Sequence, residues 1–288
     1  MKGLVSRIEE VSLEGKLKLG ESKISFLTEL QKLIEDVDLK DEKLVILNDE
    51  LPSTVENILR DEGTAAAIHF LETLREIRQS PKLYNKVQFI YAGSIGLENI
   101  VSKLGSINLI NDLVPVELPP LNRDEAYDLV EKILTGSSVT LSSEGFEYLL
   151  KVIEWWIPYY FQILLDEAYN ILQDCEAKII DAKIIDHAVK KALRQRLYFE
   201  HWLSRLRTAY ERDEFSFVKD VLNRVSENQT ASSTEIIDLA ERHNLAGAFN
   251  HLMNALKHDG YVNNDEDPKI YRFNSPLLRE WWRCNVAN

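Results

Sequence analysis

The chain has 288 residues, is 45% hydrophobic and 28% charged, and carries a formal net charge of −13. This is the composition of a soluble globular protein that can bury a core without staples, and its acidity argues against broad electrostatic binding to nucleic acid or anionic lipid. Cys175 and Cys284 show neither metal-ligand nor disulfide spacing, no apolar run approaches the roughly 20 residues of a membrane span, and MKGLVSRIEEVS lacks a secretory apolar region, so a reducing cytoplasm is the expected setting.

Residues 1–20 mix short apolar stretches with Lys and Glu and carry no clear period. From Ser22 to Val37 an apolar stripe at helical spacing predicts a helix (Ile24, Phe26, Leu27, Leu30, Leu33, Ile34). Leu44–Leu47 is a continuous apolar run of the kind that forms a strand buried on both faces, and it runs into Asn48-Asp49-Glu50. Thr64–Ile77 predicts a helix, Val87–Ala92 a second strand ending at Gly93-Ser94, and Val114–Leu118 a third closed by Pro119-Pro120. Strands alternating with helices point to a parallel α/β sheet.

After Pro120 the pattern becomes helical. Helices are predicted at Asn122–Leu134, Ser142–Ile153, Tyr159–Leu172 and Asp181–Leu193. A third region has helices around His201–Ala209, Phe215–Val225, Thr234–Arg242 and Ala246–His258. A polar turn at Asn263–Pro268 and a strand at Lys269–Phe273 follow. Helices followed by a hairpin give the order of a winged helix.

Four segments together resemble prokaryotic AAA+/STAND-type P-loop ATPases with a C-terminal winged helix, over nearly the whole chain. LVILNDELP (44–52) resembles a Walker B strand, and VQFIYAGSIGLENIV (87–101) a sensor 1 strand and its turn. WWIPYYFQILLDEA (155–168) stands where such ATPases have the sensor 2 region of a helical lid. DGYVNNDEDPKIYRFNSPLLREWW (259–282) resembles the wing and terminal helix. The resemblance implies an incomplete ATPase core over 1–120, a helical lid over 121–196 and a winged-helix domain over 197–288.

It also implies roles. Asp49 would orient Mg²⁺ and Glu50 would polarise the attacking water, at the sheet edge where open α/β folds bind ligands. The alternative is a strand ending in a solvated acidic turn. Asn48 departs from the apolar residue usual there. Ser94 would be sensor 1, or the end of a Gly-Ser turn. Arg78, with Arg75, could reach a neighbouring subunit's nucleotide, or belong to a solvated helix face. Pro158 stands where relatives have Gly-x-Pro beside the nucleotide, but Trp156-Ile157-Pro158 lacks the glycine. The surrounding aromatics Trp155, Trp156, Tyr159, Tyr160 and Phe161 read as packing rather than as a base-stacking platform.

The phosphate loop itself, G-x-x-x-x-G-K-S/T, is absent from the 288 residues. The one Gly-Lys pair, Gly15-Lys16, has Glu at position 10 and is followed by Leu17. The resemblance therefore implies an N-terminally truncated ATPase. Its full-length form would bind ATP and Mg²⁺ as a conformational switch, while this chain alone would neither bind ATP tightly nor hydrolyse it. Without the loop-bearing strand, 114–118 should not pair with 87–92. Two other classes stay open: a non-catalytic interaction or regulatory protein, and a winged-helix DNA-binding regulator. From Glu200 onward 11 Lys and Arg face 14 Asp and Glu. That balance favours a protein partner over DNA, and an oligomer is possible.

Overall fold

The computed structural model describes residues 26–37, 42–93, 96–175 and 177–287, and the chain divides into two compact units at 113/114. The N-terminal unit contains α1 (Phe26–Glu35), β1 (Leu44–Asn48), α2 (Leu51–Glu62), α3 (Thr64–Arg78), β2 (Val87–Tyr91), α4 (Leu97–Lys103) and a 3₁₀ turn, Ile107–Leu109. β1 and β2 pair in parallel, Leu44 opposite Val87 through Asn48 opposite Tyr91, and among the described residues they form a sheet of two strands.

Among the described residues the apolar packing on this sheet lies on one face. Leu44, Ile46, Val87 and Phe89 point to that face and pack against Ile34 of α1, Ile77 of α3 and Leu83. Tyr91 continues the same face into a second cluster with Leu51 and Val55 of α2, Ala67 and Leu71 of α3, and Ile100 and Val101 of α4. The opposite face carries Val45, Leu47 and Ile90, exposed by 51%, 74% and 47%. Parallel sheets are normally covered on both faces. Helix α2 exists because Leu51, Val55, Ile58 and Leu59 share one stripe and Pro52 stands in the first turn, where its missing N–H costs nothing. Gly63, at φ 90°, closes α2 by donating to the carbonyls of Ile58 and Leu59, and α3 starts directly after it.

The expected third strand at Val114–Leu118 does not form. These residues join no sheet among the described residues, and Val114, Val116 and Leu118 are largely exposed. A strand needs a partner for its ladder, and Pro115 removes one of this segment's donors.

The C-terminal unit, 114–288, is mostly helical. It runs α5 (Arg123–Leu134), β3 (Thr140–Leu141), α6 (Ser143–Ile153), α7 (Pro158–Cys175), β4 (Ile179–Ile180), α8 (Ala182–Ala192) and α9 (Arg196–Ala209). Then come α10 (Arg212–Asn228), β5 (Thr230–Ser232), α11 (Ser233–Arg242), α12 (Phe249–His258), β6 (Val262–Asn263), β7 (Ile270–Phe273) and α13 (Pro276–Asn285). β3 pairs with β4 in parallel, and β5-β7-β6 make an antiparallel sheet. Asn122 and Ser232 form capping boxes at α5 and α11, satisfying helix donors that would otherwise be orphaned.

One continuous apolar core runs from Ala126 to Val286, with Tyr160, Phe161, Phe199, Phe217, Trp281 and Trp282 completely buried. Two polar atoms in this core have partners: Tyr261 Oη donates to the Trp202 carbonyl at 2.7 Å and Trp282 Nε1 to Asn223 Oδ1 at 2.9 Å. Gly260 sits at φ 81°, where a Cβ would come within 2.6 Å of the Trp155 ring. Among the described residues no helix is long and apolar enough to cross a membrane.

Candidate functional site

Asp49 and Glu50 form the turn between the C-terminal end of β1 and α2, and both are exposed. Glu50 adopts φ 56°, ψ 33°, the left-handed conformation that side chains other than Gly and Asn rarely accept. Local bonds hold it there. Its N–H donates to Asp49 Oδ1 at 2.9 Å, its carbonyl accepts from Thr54 N and Oγ1, and its Oε2 accepts from Ser53 Oγ at 2.9 Å. Ser53 and Thr54 are thus the side chains that fix this turn, and sequence reasoning did not single them out. Their signal was present: two hydroxyls three and four residues after an acid at a strand end.

The edge is tied to β2 by two backbone bonds. Ala92 N donates to the Asn48 carbonyl at 2.9 Å, and Leu51 N donates to the Ala92 carbonyl at 3.1 Å. This brings Gly93, which follows β2, to the same end of the sheet as the two carboxylates. Ser94, the expected sensor, lies outside the described residues.

The donor set suits a divalent cation only in part. Mg²⁺ is usually held by one or two carboxylates with water and phosphate oxygens completing its shell, and Asp49 and Glu50 fit that role. A phosphate cradle does not fit the start of α2, because the Leu51 N–H is already donated and Pro52 has none. No group of three or more metal-binding side chains occurs among the described residues.

Arg78 is taken up by its own unit. Its Nε and one terminal nitrogen bind both oxygens of Asp112 at 2.9 and 2.8 Å, and it also donates to the Leu109 carbonyl. Its side chain is only 7% exposed and its guanidinium lies 5.5 Å from the Tyr91 ring centre. The Arg78 hydrogen bonds are the main cause holding the Asp112 carboxyl below its ordinary value. Arg75 donates to the Asn108 carbonyl.

In the C-terminal unit Pro158 is the exposed first residue of α7. Tyr160 and Phe161 are buried, and Trp155 packs on Tyr160 and Trp202, which makes this aromatic group a core element. Further along α7, Glu167 is 3% exposed, accepts from Tyr198 Oη at 2.9 Å and pairs with Lys191 Nζ at 3.1 Å. Burial, then this carboxylate, pushes the Tyr198 phenol up to about 12. A hollow of about 600 Å³ beside α7 is lined by Tyr159, Gln162, Asp166, Tyr169 and Tyr198 with Ile133, Leu134, Ser137, Ile163 and Leu165. It offers no cationic side chain and carries one carboxylate, so a phosphate would be repelled there.

No family model matches the chain, and no curated protein matches it in sequence. Solved structures do match in shape. The Walker-type ATPase of Pyrococcus abyssi superposes with a TM-score of 0.61 at 15% identity, over 97% of this chain and 75% of that one. The ORC2 protein of Aeropyrum pernix, solved as ADPNP–ADP complexes, superposes with a TM-score of 0.52 at 15% identity, over 91% of this chain and 69% of that one. The chain therefore shares its fold with these two proteins.

Proposed function

We propose that this chain carries the Walker B and sensor 1 half of a STAND-type P-loop ATPase site and lacks the phosphate-binding half. The observation that carries this reading is the Asp49–Glu50 pair, held at the C-terminal end of a parallel strand by Ser53 and Thr54, in a chain with an ATPase fold. Asp49 would hold Mg²⁺, which supplies charge neutralisation at phosphate oxygens when bound, and Glu50 would accept a proton from water. Ser94 would act as the polar sensor of this site. Pro158 would open the lid helix. Arg78 serves structure in this reading, because its donors are committed to Asp112 and Leu109.

A protein carrying both halves of the site would be an ATP-driven switch whose lid and winged helix rearrange on a protein partner. We read 197–288 as that winged helix, with α12 in the recognition position. It presents Asn250, Asn254 and His258 outward, and the wing tip carries Asp265, Glu266 and Asp267, all exposed. An acidic wing favours a protein partner over DNA.

The test is direct binding of fluorescent ATP with Mg²⁺ to residues 1–288. The expected result is no saturable binding at micromolar concentrations. Micromolar binding would show that the chain holds a complete nucleotide site and overturn the reading.

A further inference from the structure

Helix α7 carries a second stripe beside its core face. Tyr159, Gln162, Ile163, Asp166 and Tyr169 recur at steps of mostly three and four residues, the spacing that sets side chains on one side of a helix. The core face buries Tyr160, Phe161, Leu164 and Ala168. The second stripe lines the hollow of about 600 Å³ together with Tyr198 of α9, over apolar residues that include Ile133 and Leu165. Small-molecule sites have volumes of this size.

The hydroxyl protons of two wall residues are already spent. Tyr159 Oη donates to the Tyr198 carbonyl, and Tyr198 Oη donates to Glu167 at 2.9 Å. What these two side chains offer a ligand is ring surface, and the face of an aromatic ring attracts a cation. Tyr169, 37% exposed, adds a third ring. Of the two carboxylates on this part of α7, Glu167 is compensated by Lys191 Nζ at 3.1 Å. Asp166 is exposed and, among the described residues, has no cation of its own. The hollow thus combines aromatic rings with one uncompensated negative charge, and no cationic side chain lines it.

That combination selects a class of ligand. A hard divalent ion needs several oxygen ligands, and the lining offers one carboxylate among apolar groups. A neutral apolar molecule would gain nothing from Asp166. The lysine or arginine side chain of a partner protein would fill only part of the volume. A cation carried on an apolar body uses the charge, the rings and the apolar lining together.

We propose that the hollow beside α7 binds a small organic cation, an ammonium group on an apolar or aromatic body, with Asp166 as its counter-charge and Tyr159, Tyr169 and Tyr198 as its walls. This does not depend on the nucleotide reading.

Calorimetric titration of the full chain with benzyltrimethylammonium tests it, with benzyl alcohol as the neutral control. Saturable binding is expected below about 1 mM, and benzyl alcohol should bind at least about 10-fold more weakly. Asp166→Asn should weaken the cation by about 3- to 10-fold. Tyr169→Ala should weaken it by a similar factor, whereas Tyr169→Phe should stay within about twofold, because the ring and not the hydroxyl makes the contact. In the unaltered chain, the methyl NMR signals of Ile133, Ile163 and Leu165 should shift on titration, which places the ligand whether or not the variants fold. No saturable binding below about 10 mM would overturn the proposal. So would equal binding of benzyl alcohol, or shifts that leave these three methyl groups untouched. Adenosine binding more tightly than the cation at the same methyl groups would make the hollow a base site and refute it as well.

Discussion

The two units treat their apolar residues in opposite ways. In the C-terminal unit Trp281 and Trp282 are wholly buried, and Trp282 also places its N–H on Asn223. In the N-terminal unit Leu47 is 74% exposed in the middle of a strand, with Val45 and Ile90 beside it. The first region satisfies its pattern with its own residues. The second carries the pattern of a doubly covered sheet, and its described residues cover one face. That difference draws attention to the end of β1, where the acids stand.

Substitutions should sort by this contrast. Trp281→Ala should have the largest effect, a loss of about 3–5 kcal/mol in urea unfolding, because it opens a cavity in a closed core. Arg78→Ala should cost about 3 kcal/mol by leaving Asp112 without its partner. The Arg78–Asp112 pair has a pH signature. The Asp112 carboxyl is held below its ordinary value, so its contribution is complete above about pH 4 and lost as pH falls through the depressed value. The Arg78→Ala variant should lose that part of the acid dependence. Gly260→Ala should cost about 2 kcal/mol, from the positive φ and the approach to Trp155.

On the other side of the contrast, Glu50→Gly should raise stability by up to about 1 kcal/mol, since glycine accepts the left-handed turn without strain. A loss instead would mean that the turn is held by more than its local bonds. Leu47→Lys should have the smallest effect, within about 0.5 kcal/mol, with better solubility. A loss above about 2 kcal/mol would show that this face is covered.

Much of the helical framework was legible. The stripes at 64–77, 122–134 and 181–193 repeat at three and four residues, a period that tertiary context seldom overrides. Helix α2 was not read, because Pro52 after an acidic strand end looks like a turn although it fits a helix's first turn. α4 has only seven residues, too few for a period to show. The strand expected at 114–118 failed for the opposite reason: its alternation is present, but alternation specifies a face and cannot supply a partner. At the site, the adjacent acids on an apolar strand were readable because strand ends place such residues at a sheet edge. The left-handed Glu50 was not, since that conformation is normally announced by Gly or Asn. Nor was the commitment of Arg78 to Asp112, which joins residues 34 apart and has no local signal.

The central proposal is that Asp49 and Glu50 form half of an ATPase site in a chain without a phosphate loop, and nucleotide binding by residues 1–288 tests it most directly. The measurement is equilibrium binding of fluorescent ATP with Mg²⁺, alongside Mg²⁺-dependent ATP hydrolysis with and without Glu50→Gln. The expected result is no saturable binding at micromolar concentrations and no hydrolysis above background. Saturable micromolar binding, or hydrolysis that Glu50→Gln abolishes, would contradict it.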